Sequence, residues 1–507
     1  MGLQARDRAA YEKVVGALRR QSKGATVADI VARTALPLET VRDLVPAAAD
    51  EYSGRLEVTE SGEIRYSFPR GFTSKYRGFR AGLRRAAAGF AKGLRIGGAW
   101  AFKVWIMAML VGYFLFFMLL AVAALALSVA ASFQSNSNSR SSKGDGGLLL
   151  ASSLFNTIIR IWFYSELLNT DRRYSRSYRG VPAKPKGRPL YKAIFSFVFG
   201  DDDPNARWDE QEKRAVIAYI QENRGVITTP ELAMITGLTP GEAEGRITAY
   251  CAEFGGSPEA TEDGTVVYRF DDLLLRADRR DRGFGDLSGP IKRLKGFSSN
   301  AKKLNGWFAV INGVNLAFGG YFLFNALQSG HILTPEHFQA SSWFYGVSYL
   351  LLSQVFSNPL PVITIGMGWV PIIFSLIFWA IPALRFFGVK KENERIKLEN
   401  FRKEGYGRIW RDPFKVNPGD MEPKAAECRP SDLEAARDQV IKEFGAYSIP
   451  DAALDAAGGT VYSFADLDRE KRALARYRGG IDAGASELGK TVFDSEAGAG
   501  EQPRPVD

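Results

Sequence analysis

Apolar residues along the chain are concentrated in two blocks, and polar stretches with helix-like or strand-like spacing lie around and between them. In the first block, residues 104–133 carry no charge and exceed the roughly 20 residues that a helix needs to cross a bilayer. Residues 148–168 are apolar again but include Arg160 and Glu166. This block predicts a transmembrane hairpin over 104–168, with a helix lying flat in the membrane interface as the alternative for its second half.

The second block, 307–388, predicts another transmembrane hairpin, with spanning helices at 307–328 and 361–387. Between them, residues 342–357 are apolar but too few for a full crossing. We expect a re-entrant or interfacial segment there, and a fifth span is the alternative. Because basic residues flank the block on both sides, an even number of spans is favoured, about four in the whole chain.

Positive charge is concentrated beside these apolar segments. Residues 70–103 contain nine Lys or Arg and no acidic residue, and 288–306 contain five and none. The other two flanks, 169–192 and 385–403, also have a basic excess, although the net charge of the chain is only +10. By the positive-inside rule, both termini are predicted to be cytoplasmic (or stromal) in a cell inner membrane or plastid-type inner membrane. The distribution is typical of membrane topology rather than of a nucleic-acid surface.

The polar stretch 208–276 predicts a small α+β domain. After a first amphipathic helix, Thr229 followed by Pro230 predicts the start of a second helix, and Thr239 with Glu242 predicts a capping box at the start of a third. Residues 265–270 then alternate like a strand after a Gly-containing turn. Three helices followed by a hairpin is the element order of a winged-helix domain, so a winged-helix-like module is predicted here.

Weaker copies of this module are predicted on either side. Residues 1–69 repeat the whole order, with Thr26 to Asp29 as the cap of the second helix. Residues 389–478 repeat it in degenerate form, without the second helix and with a capping box that begins at Ser431. The fold class predicted is thus an α-helical membrane protein with two transmembrane hairpins and repeated small α+β winged-helix-like soluble domains. The remaining segments are predicted to be a basic amphipathic juxtamembrane helix or an unstructured basic lead-in (70–103), a basic linker with an aromatic segment (169–207), a basic linker (277–306) and a disordered acidic tail (479–507).

One phrase of the sequence resembles a known group of proteins. Ser196-Phe197-Val198-Phe199-Gly200-Asp201 is followed by Pro204-Asn205, a helix and a Thr-Pro-Glu-Leu unit. This arrangement, over about residues 190–275, resembles a poorly characterised family of multi-pass membrane proteins of photosynthetic bacteria and plastids with winged-helix-like repeats. The resemblance implies a membrane location in such organisms and implies no reaction.

The sequence contains few groups that could hold a metal or carry out catalysis. Cys251 and Cys428 lie far apart and outside any Cys-x-x-Cys pattern, which argues against a disulfide framework, a zinc site or an iron–sulfur cluster. His331 and His337 are the candidate metal ligands, although two histidines are equally typical of a polar loop. Because the sequence has no phosphate-binding loop, nucleophile elbow or paired carboxylates, we expect neither an enzyme nor a cofactor.

Four polar residues are predicted to lie within the membrane: Arg160, Glu166, Asn312 and Asn315. The first two could mark a transport path, but both lie near the cytoplasmic end of their segment, where long side chains reach the headgroups. The two asparagines lie among glycines, a pattern that favours close packing against another helix. A transporter or channel component is therefore an alternative function.

The charge of the third helix in each module distinguishes DNA from protein as the expected partner. A winged helix reads DNA with Lys and Arg on this helix. In the three copies the corresponding stretches 37–52, 239–254 and 431–445 have net charges of −3, −2 and −2. We therefore expect modules that bind protein, with self-association possible, in a scaffold or assembly role at the lipid bilayer. A membrane-tethered winged-helix DNA-binding regulator is the alternative.

Overall fold

The structure is a computed structural model that describes residues 5–69, 71–73, 93, 97–134, 188–277, 289–329, 343–454, 459–482 and 487–495. The chain divides into two compact units. The first, which we call the module unit, comprises Met1–Arg85, Asp203–Lys295 and Lys391–Asp507. The second, the apolar-helix unit, comprises Ala86–Asp202 and Gly296–Lys390.

Most of the described chain is helical, and its strands form small antiparallel sheets. The helices are α1 (Ala5–Arg20), α2 (Val27–Thr34), α3 (Leu38–Glu51), α4 (Gly97–Leu127), α5 (Leu190–Phe199), α6 (Trp208–Glu222), α7 (Thr229–Thr236), α8 (Pro240–Phe254), α9 (Lys302–Ser329), α10 (Trp343–Ser353), α11 (Pro359–Arg411), α12 (Leu433–Gly445) and α13 (Ala465–Gly480). The strands are β1 (Arg55–Thr59), β2 (Ile64–Ser67), β3 (Val226–Ile227), β4 (Ser257–Ala260), β5 (Val266–Arg269), β6 (Asp451–Leu454), β7 (Thr460–Ser463) and β8 (Thr491–Asp494).

The first copy within the module unit consists of α1, α2, α3 and the hairpin β1–β2. Thr26 and Asp29 cap α2 reciprocally, as predicted, and Ala35 ends it in the left-handed conformation at φ 54°. Before α2, Ala25 pairs with Tyr66 of β2. The chain between the first two helices therefore extends the hairpin by one short strand.

The second copy consists of α6, β3, α7, α8 and the hairpin β4–β5, with the strand order β3-β5-β4. The capping box of Thr239 and Glu242 at the start of α8 is confirmed. The start of α7 lies one residue earlier than predicted, because the backbone N–H of Thr228, not Thr229, donates to Glu231 Oε2 at 3.1 Å. The amide that precedes a proline-led helix thus finds its partner in the side chain three residues on.

The third copy uses the last part of α11 as its first helix, followed by α12 and the hairpin β6–β7. Short 3-10 turns at Pro418–Asp420 and Ala426–Cys428 lie where the other copies have their second helix. Asp432, rather than the predicted Ser431, caps α12, since its Oδ1 accepts from the Ala435 N–H at 3.0 Å.

A tyrosine and a phenylalanine recur in the second strand of every hairpin. Tyr66, Tyr268 and Tyr462 each pair with a residue that precedes the second helix or its replacement. Two residues later, Phe68, Phe270 and Phe464 are buried, and the backbone N–H of each donates to the carbonyl of the chain that follows the first helix. The three copies therefore share one backbone hydrogen-bonding scheme around an aromatic core residue.

The prediction of a disordered tail over 479–507 is wrong for part of that range. Thr491–Asp494 form β8, which pairs antiparallel with β1 and gives the strand order β2-β1-β8. Arg55 Nε donates to Asp494 Oδ1 at 2.8 Å. An acidic composition suggested disorder, but the unpaired edge of β1 and a nearby cation supply the partners that order this segment.

The modules share one continuous apolar core, to which α1, α6 and α12 all contribute buried residues. Gly255, which ends α8, lies so near α3 that a Cβ placed there would be 3.0 Å from Leu38 Cδ2. Gly237, which ends α7 at φ +74°, lies against α11, and a Cβ there would be 2.3 Å from the Glu399 carbonyl oxygen. The three modules therefore form one packed body rather than separate domains on linkers.

In the apolar-helix unit, the segments α4, Lys302–Gln328 of α9 and α11 are long and apolar enough to cross a membrane. The helix α4 begins at Gly97, so the end of the predicted juxtamembrane segment 70–103 belongs to this helix. Helix α10 has 11 residues, about half of what a bilayer crossing needs. The predicted span 148–168 lies outside the described residues.

The phrase Ser196–Asp201, which carries the resemblance, forms the end of α5 and its cap. Arg385 Nη1 donates to the Phe197 carbonyl at 3.2 Å, and the Arg385 guanidinium lies 4.3 Å above the Phe297 ring. Asp201 accepts hydrogen bonds from Ser196, Ser299 and Arg188. Although burial acts to raise the pKa of Asp201, these hydrogen bonds hold it well below its usual range. The segment therefore stabilises the apolar-helix unit by joining the end of α5 to Arg385 and Ser299.

Candidate interaction site on the module hairpins

The three hairpins have the same register, so their first strands can be compared position by position. Leu56 pairs with Tyr66, Pro258 with Tyr268, and Ala452 with Tyr462. Counting from these pairs, Arg55, Ser257 and Asp451 occupy one equivalent position. Another equivalent position is occupied by Val58, Ala260 and Leu454. The residues at equivalent positions of β1, β4 and β6 therefore indicate which kind of segment each outer edge can bind.

The outer edge of β1 is occupied by β8. Ser495 follows β8, and its hydroxyl oxygen accepts from the Leu56 N–H at 3.0 Å while its own N–H donates to the Leu56 carbonyl at 3.0 Å. Phe493 lies opposite Val58. This edge thus shows how a module hairpin accepts an extended segment.

The outer edge of β4 cannot accept a strand in the same way. Pro258 stands at the position of Leu56 and has no N–H to donate, and prolines commonly protect edge strands. Glu259 of the same strand accepts a hydrogen bond from the hydroxyl of Tyr477 on α13. The central hairpin therefore lacks the backbone donor that Leu56 provides in β1, although three of the four residues of β4 are exposed.

The outer edge of β6 has no strand paired with it among the residues that the structure describes. All four residues of β6 are exposed, and Leu454 is 76% exposed. Ile449, just before the strand, is 83% exposed. An open strand edge with exposed apolar side chains is a ready template for another chain, which makes β6 the candidate interaction site.

The third helix of the first module makes contacts within the module unit. Helix α3 packs against the end of α8, and Arg42 of α3 forms ion pairs with Glu39 and Asp272. Both the helix face and its cation are thus engaged within the module unit.

A cavity of about 920 Å³ lies between α1, α2 and α6. Its lining includes the cations Lys13, Arg20, Arg33, Arg207, Arg214 and Arg276 and the carboxylates Asp29, Glu210 and Glu222. Glu210 pairs with both Lys13 and Arg214. The cationic groups that face this common space therefore lie beside the first helices, away from the positions at which a winged helix reads bases.

A buried ionic cluster holds α13 against the second copy. Arg478 Nη2 donates to Glu231 Oε2 at 2.7 Å, and Glu231 is only 1% exposed. The Tyr219 hydroxyl donates to Glu231 Oε1 at 2.6 Å. Burial, together with the Glu231 carboxylate, raises the pKa of Tyr219 well above its ordinary value, so the tyrosine stays a donor. No local sequence signal links Glu231 to Arg478, because the two residues are 247 positions apart.

Lys403 of α11 is a second buried cation that the sequence analysis did not single out. Its Nζ donates to the Pro290 carbonyl at 2.6 Å and lies 4.7 Å from the centroid of the Trp208 ring. The neighbouring Gly289 lies close against α7, where a Cβ would be 2.2 Å from the Ile235 carbonyl oxygen. The predicted linker 277–306 is thus packed into the module unit at residues 289–295.

The predicted intramembrane asparagines both lie in the apolar-helix unit and are fully buried. Asn312 Nδ2 donates to the Ser375 carbonyl of α11 at 2.9 Å, and Asn315 Nδ2 donates to the Leu110 carbonyl of α4 at 2.8 Å. Leu110 lies in a π-helical turn of α4, where the backbone ladder is interrupted. The side-chain Oδ1 atoms of both asparagines accept no hydrogen bond from any described residue. The two amides therefore join α9 to its neighbours.

The other predicted site residues, Arg160, Glu166, His331 and His337, lie outside the described residues. Within the described ranges, no group of three or more His, Cys, Asp or Glu side chains is arranged to hold a metal. Both cysteines are free, and burial raises the pKa of the Cys428 thiol to about 12, with Glu404 adding to the effect. That thiol therefore stays protonated, in contrast to a reactive cysteine.

The chain is similar to an uncharacterised chloroplast protein of Arabidopsis thaliana. The two are 23% identical over 422 residues, which cover 79% of this chain and 73% of the plant protein. No protein-family model matches the chain. No solved structure matches it. The similarity relates the chain distantly to a plastid protein, and three helices in the described part of the chain are long and apolar enough to cross a membrane.

Proposed function

We propose that this protein is a membrane-anchored scaffold whose modules are winged-helix-like domains that bind protein. The observation that carries the proposal is the edge of β6, which is exposed and apolar in a unit where the edge of β1 is paired with β8 and the edge of β4 contains Pro258. A surface of this kind is typical of a protein-binding site. The acidic third helices, two of which contact each other, argue against duplex DNA as the partner.

The proposed topology has four spans in an inner membrane of bacterial or plastid type, with both termini on the cytoplasmic or stromal side. Three spans correspond to apolar helices of the structure, and 148–168 is the fourth. The similarity to a chloroplast protein supports the plastid-type location. The basic flanks of the apolar segments support the orientation.

Site-specific photocrosslinking in native membranes tests this function. A photoreactive amino acid at Leu454 of the full chain is expected to form adducts with another protein. The same group at Glu434, an exposed residue of α12 in the same module, serves as the matched control. Adducts that are absent at Leu454, or equally abundant at both positions, would contradict the proposal. Salt-sensitive binding of duplex DNA by the purified protein would favour the regulator instead.

Transport is the second candidate function, because the Oδ1 atoms of Asn312 and Asn315 accept no hydrogen bond among the described residues. An unsatisfied acceptor in an apolar environment is costly, and a passing solute or water that donates to it would relieve the cost. Solute or ion flux into proteoliposomes that is lost in Asn315→Leu and retained in Asn325→Leu would support this function.

A further inference from the structure

Three strand edges with one register differ at the positions that select a partner. The position next to the tyrosine-paired residue is Arg55 in β1, Ser257 in β4 and Asp451 in β6. The tyrosine-paired residue itself is Leu56, Pro258 and Ala452 in the same order. The edge of β6 therefore has a backbone N–H at the position where β1 has one and β4 has proline. It also has a negative charge, at Asp451, where β1 has the positive charge of Arg55.

The pair β1–β8 shows what such an edge requires. The added strand runs antiparallel, places Phe493 opposite Val58 and places Asp494 opposite Glu57. The diagonal neighbour Arg55 donates to the Asp494 carboxylate. An apolar residue followed by an oppositely charged residue is thus the pattern that β1 accepts.

Among the residues that the structure describes, no strand pairs with the outer edge of β6, so its backbone can accept a strand in the same way. Leu56 exchanges hydrogen bonds with Ser495 through groups that point away from β2, and Ala452 has the same position in its hairpin. Ala452 keeps the N–H that Pro258 lacks. Leu454, which corresponds to Val58, is exposed and offers an apolar surface to a residue of the incoming strand.

Charge then disfavours the chain's own β8 segment at this edge. An aspartate at the place of Asp494 would lie diagonal to Asp451, where two carboxylates repel each other. A Lys or Arg at that place would form the favourable diagonal pair instead. The occupant that fits β6 is therefore different from the one that fits β1.

We propose that β6 binds, by antiparallel strand addition, an extended segment of a partner protein with an apolar residue opposite Leu454 followed by a Lys or Arg opposite Ala453. This inference rests on the proposed scaffold function and specifies the chemistry of its partner. The partner's backbone supplies affinity, while Leu454 and Asp451 supply selectivity.

Two synthetic peptides test the proposal against the full chain in detergent. One copies residues 489–497, and the other copies them with Asp494→Lys. Fluorescence anisotropy should show that the lysine peptide binds about five- to tenfold more tightly, since exchanging an unfavourable cross-strand charge pair for a favourable one has an effect of this size. Asp451→Arg should reverse the preference. Equal binding of both peptides, or a preference that Asp451→Arg leaves unchanged, would overturn the proposal.

Ala452→Pro provides the backbone control, because the central hairpin already tolerates proline at this position. This variant should bind the lysine peptide at least about tenfold more weakly, while its circular dichroism spectrum stays unchanged. Undiminished binding in a folded variant would exclude strand addition.

If the lysine peptide does not bind while protein adducts at Leu454 persist, strand addition fails and the scaffold function stands. If the peptide binds but Leu454 forms no protein adduct in membranes, the scaffold function fails.

Discussion

The module unit and the apolar-helix unit solve the same problem, the satisfaction of buried polar groups, with different chemistry. In the module unit, the carboxylate of Glu231 and the guanidinium of Arg478 are buried together and joined by Tyr219. In the apolar-helix unit, the neutral amides of Asn312 and Asn315 donate to backbone carbonyls of neighbouring helices. The contrast teaches that charged side chains can be buried as a pair near a water-exposed surface. Neutral amide side chains are used instead where the surroundings are apolar.

The largest effect is expected when one partner of the ion pair between Glu231 and Arg478 is removed from the module unit. Glu231→Ala leaves the Arg478 guanidinium buried without its carboxylate and removes the acceptor of the Tyr219 hydroxyl and the Thr228 N–H. We expect a loss of about 3–5 kcal/mol in the free energy of unfolding. Thermal and denaturant unfolding of the full chain in detergent measures it.

The double variant Glu231→Met, Arg478→Leu is the control for this prediction. It replaces both charges with apolar side chains of similar volume, so it should recover much of the lost stability. A Glu231→Ala protein as stable as the wild type, or a double variant no more stable than the single one, would show that the cluster is not what holds α13 in place.

A smaller effect is expected from Glu470 of α13, whose carboxylate accepts from the Tyr447 hydroxyl at 3.1 Å. Burial raises its pKa to about 7; the hydrogen bond from Tyr447 acts in the opposite direction, and the carboxylate of Glu231 adds to the rise. Between its ordinary pKa and about 7, the folded protein holds a proton that the unfolded chain has released. The contribution to stability is therefore complete at low pH and is lost as pH rises through 7.

Glu470→Gln stays neutral at every pH and should remove this dependence. Relative to the variant, the wild type should lose about 1–2 kcal/mol of unfolding free energy between pH 5 and pH 8. Urea unfolding of both proteins at the two pH values measures the difference. A constant difference across the range would contradict the raised pKa.

The smallest effect is expected in the apolar-helix unit. Asn315→Leu removes the hydrogen bond to Leu110 but also an acceptor that has no partner among the described residues, so a loss of only about 0.6–1.7 kcal/mol is expected. Asn325→Leu is the matched control, because Asn325 donates to Tyr321 within its own helix. Denaturation in mixed detergent micelles compares the two. A loss in Asn325→Leu as large as in Asn315→Leu would remove the contrast between the units.

Features with local causes were predicted well. The capping boxes of Thr26 and Thr239 follow from residues three positions apart, and α4, α9 and α11 follow from uninterrupted apolar runs. The start of α7 differed by one residue, although the three-residue spacing between Thr228 and Glu231 is the local signal that identifies Thr228 as the cap. The candidate edge of β6 was visible only as a repeated strand.

The sequence by itself determined where helices begin, which segments are apolar enough for a membrane, and that one aromatic strand pattern occurs three times. These depend on neighbours within a few residues and on the solvent that each segment prefers. Only the tertiary structure decided that β8 joins β1, that Arg478 meets Glu231 247 residues away, and that no described strand pairs with the outer edge of β6. The physical reason is that such contacts depend on which surfaces meet after folding, and residues so far apart leave no periodic trace along the chain.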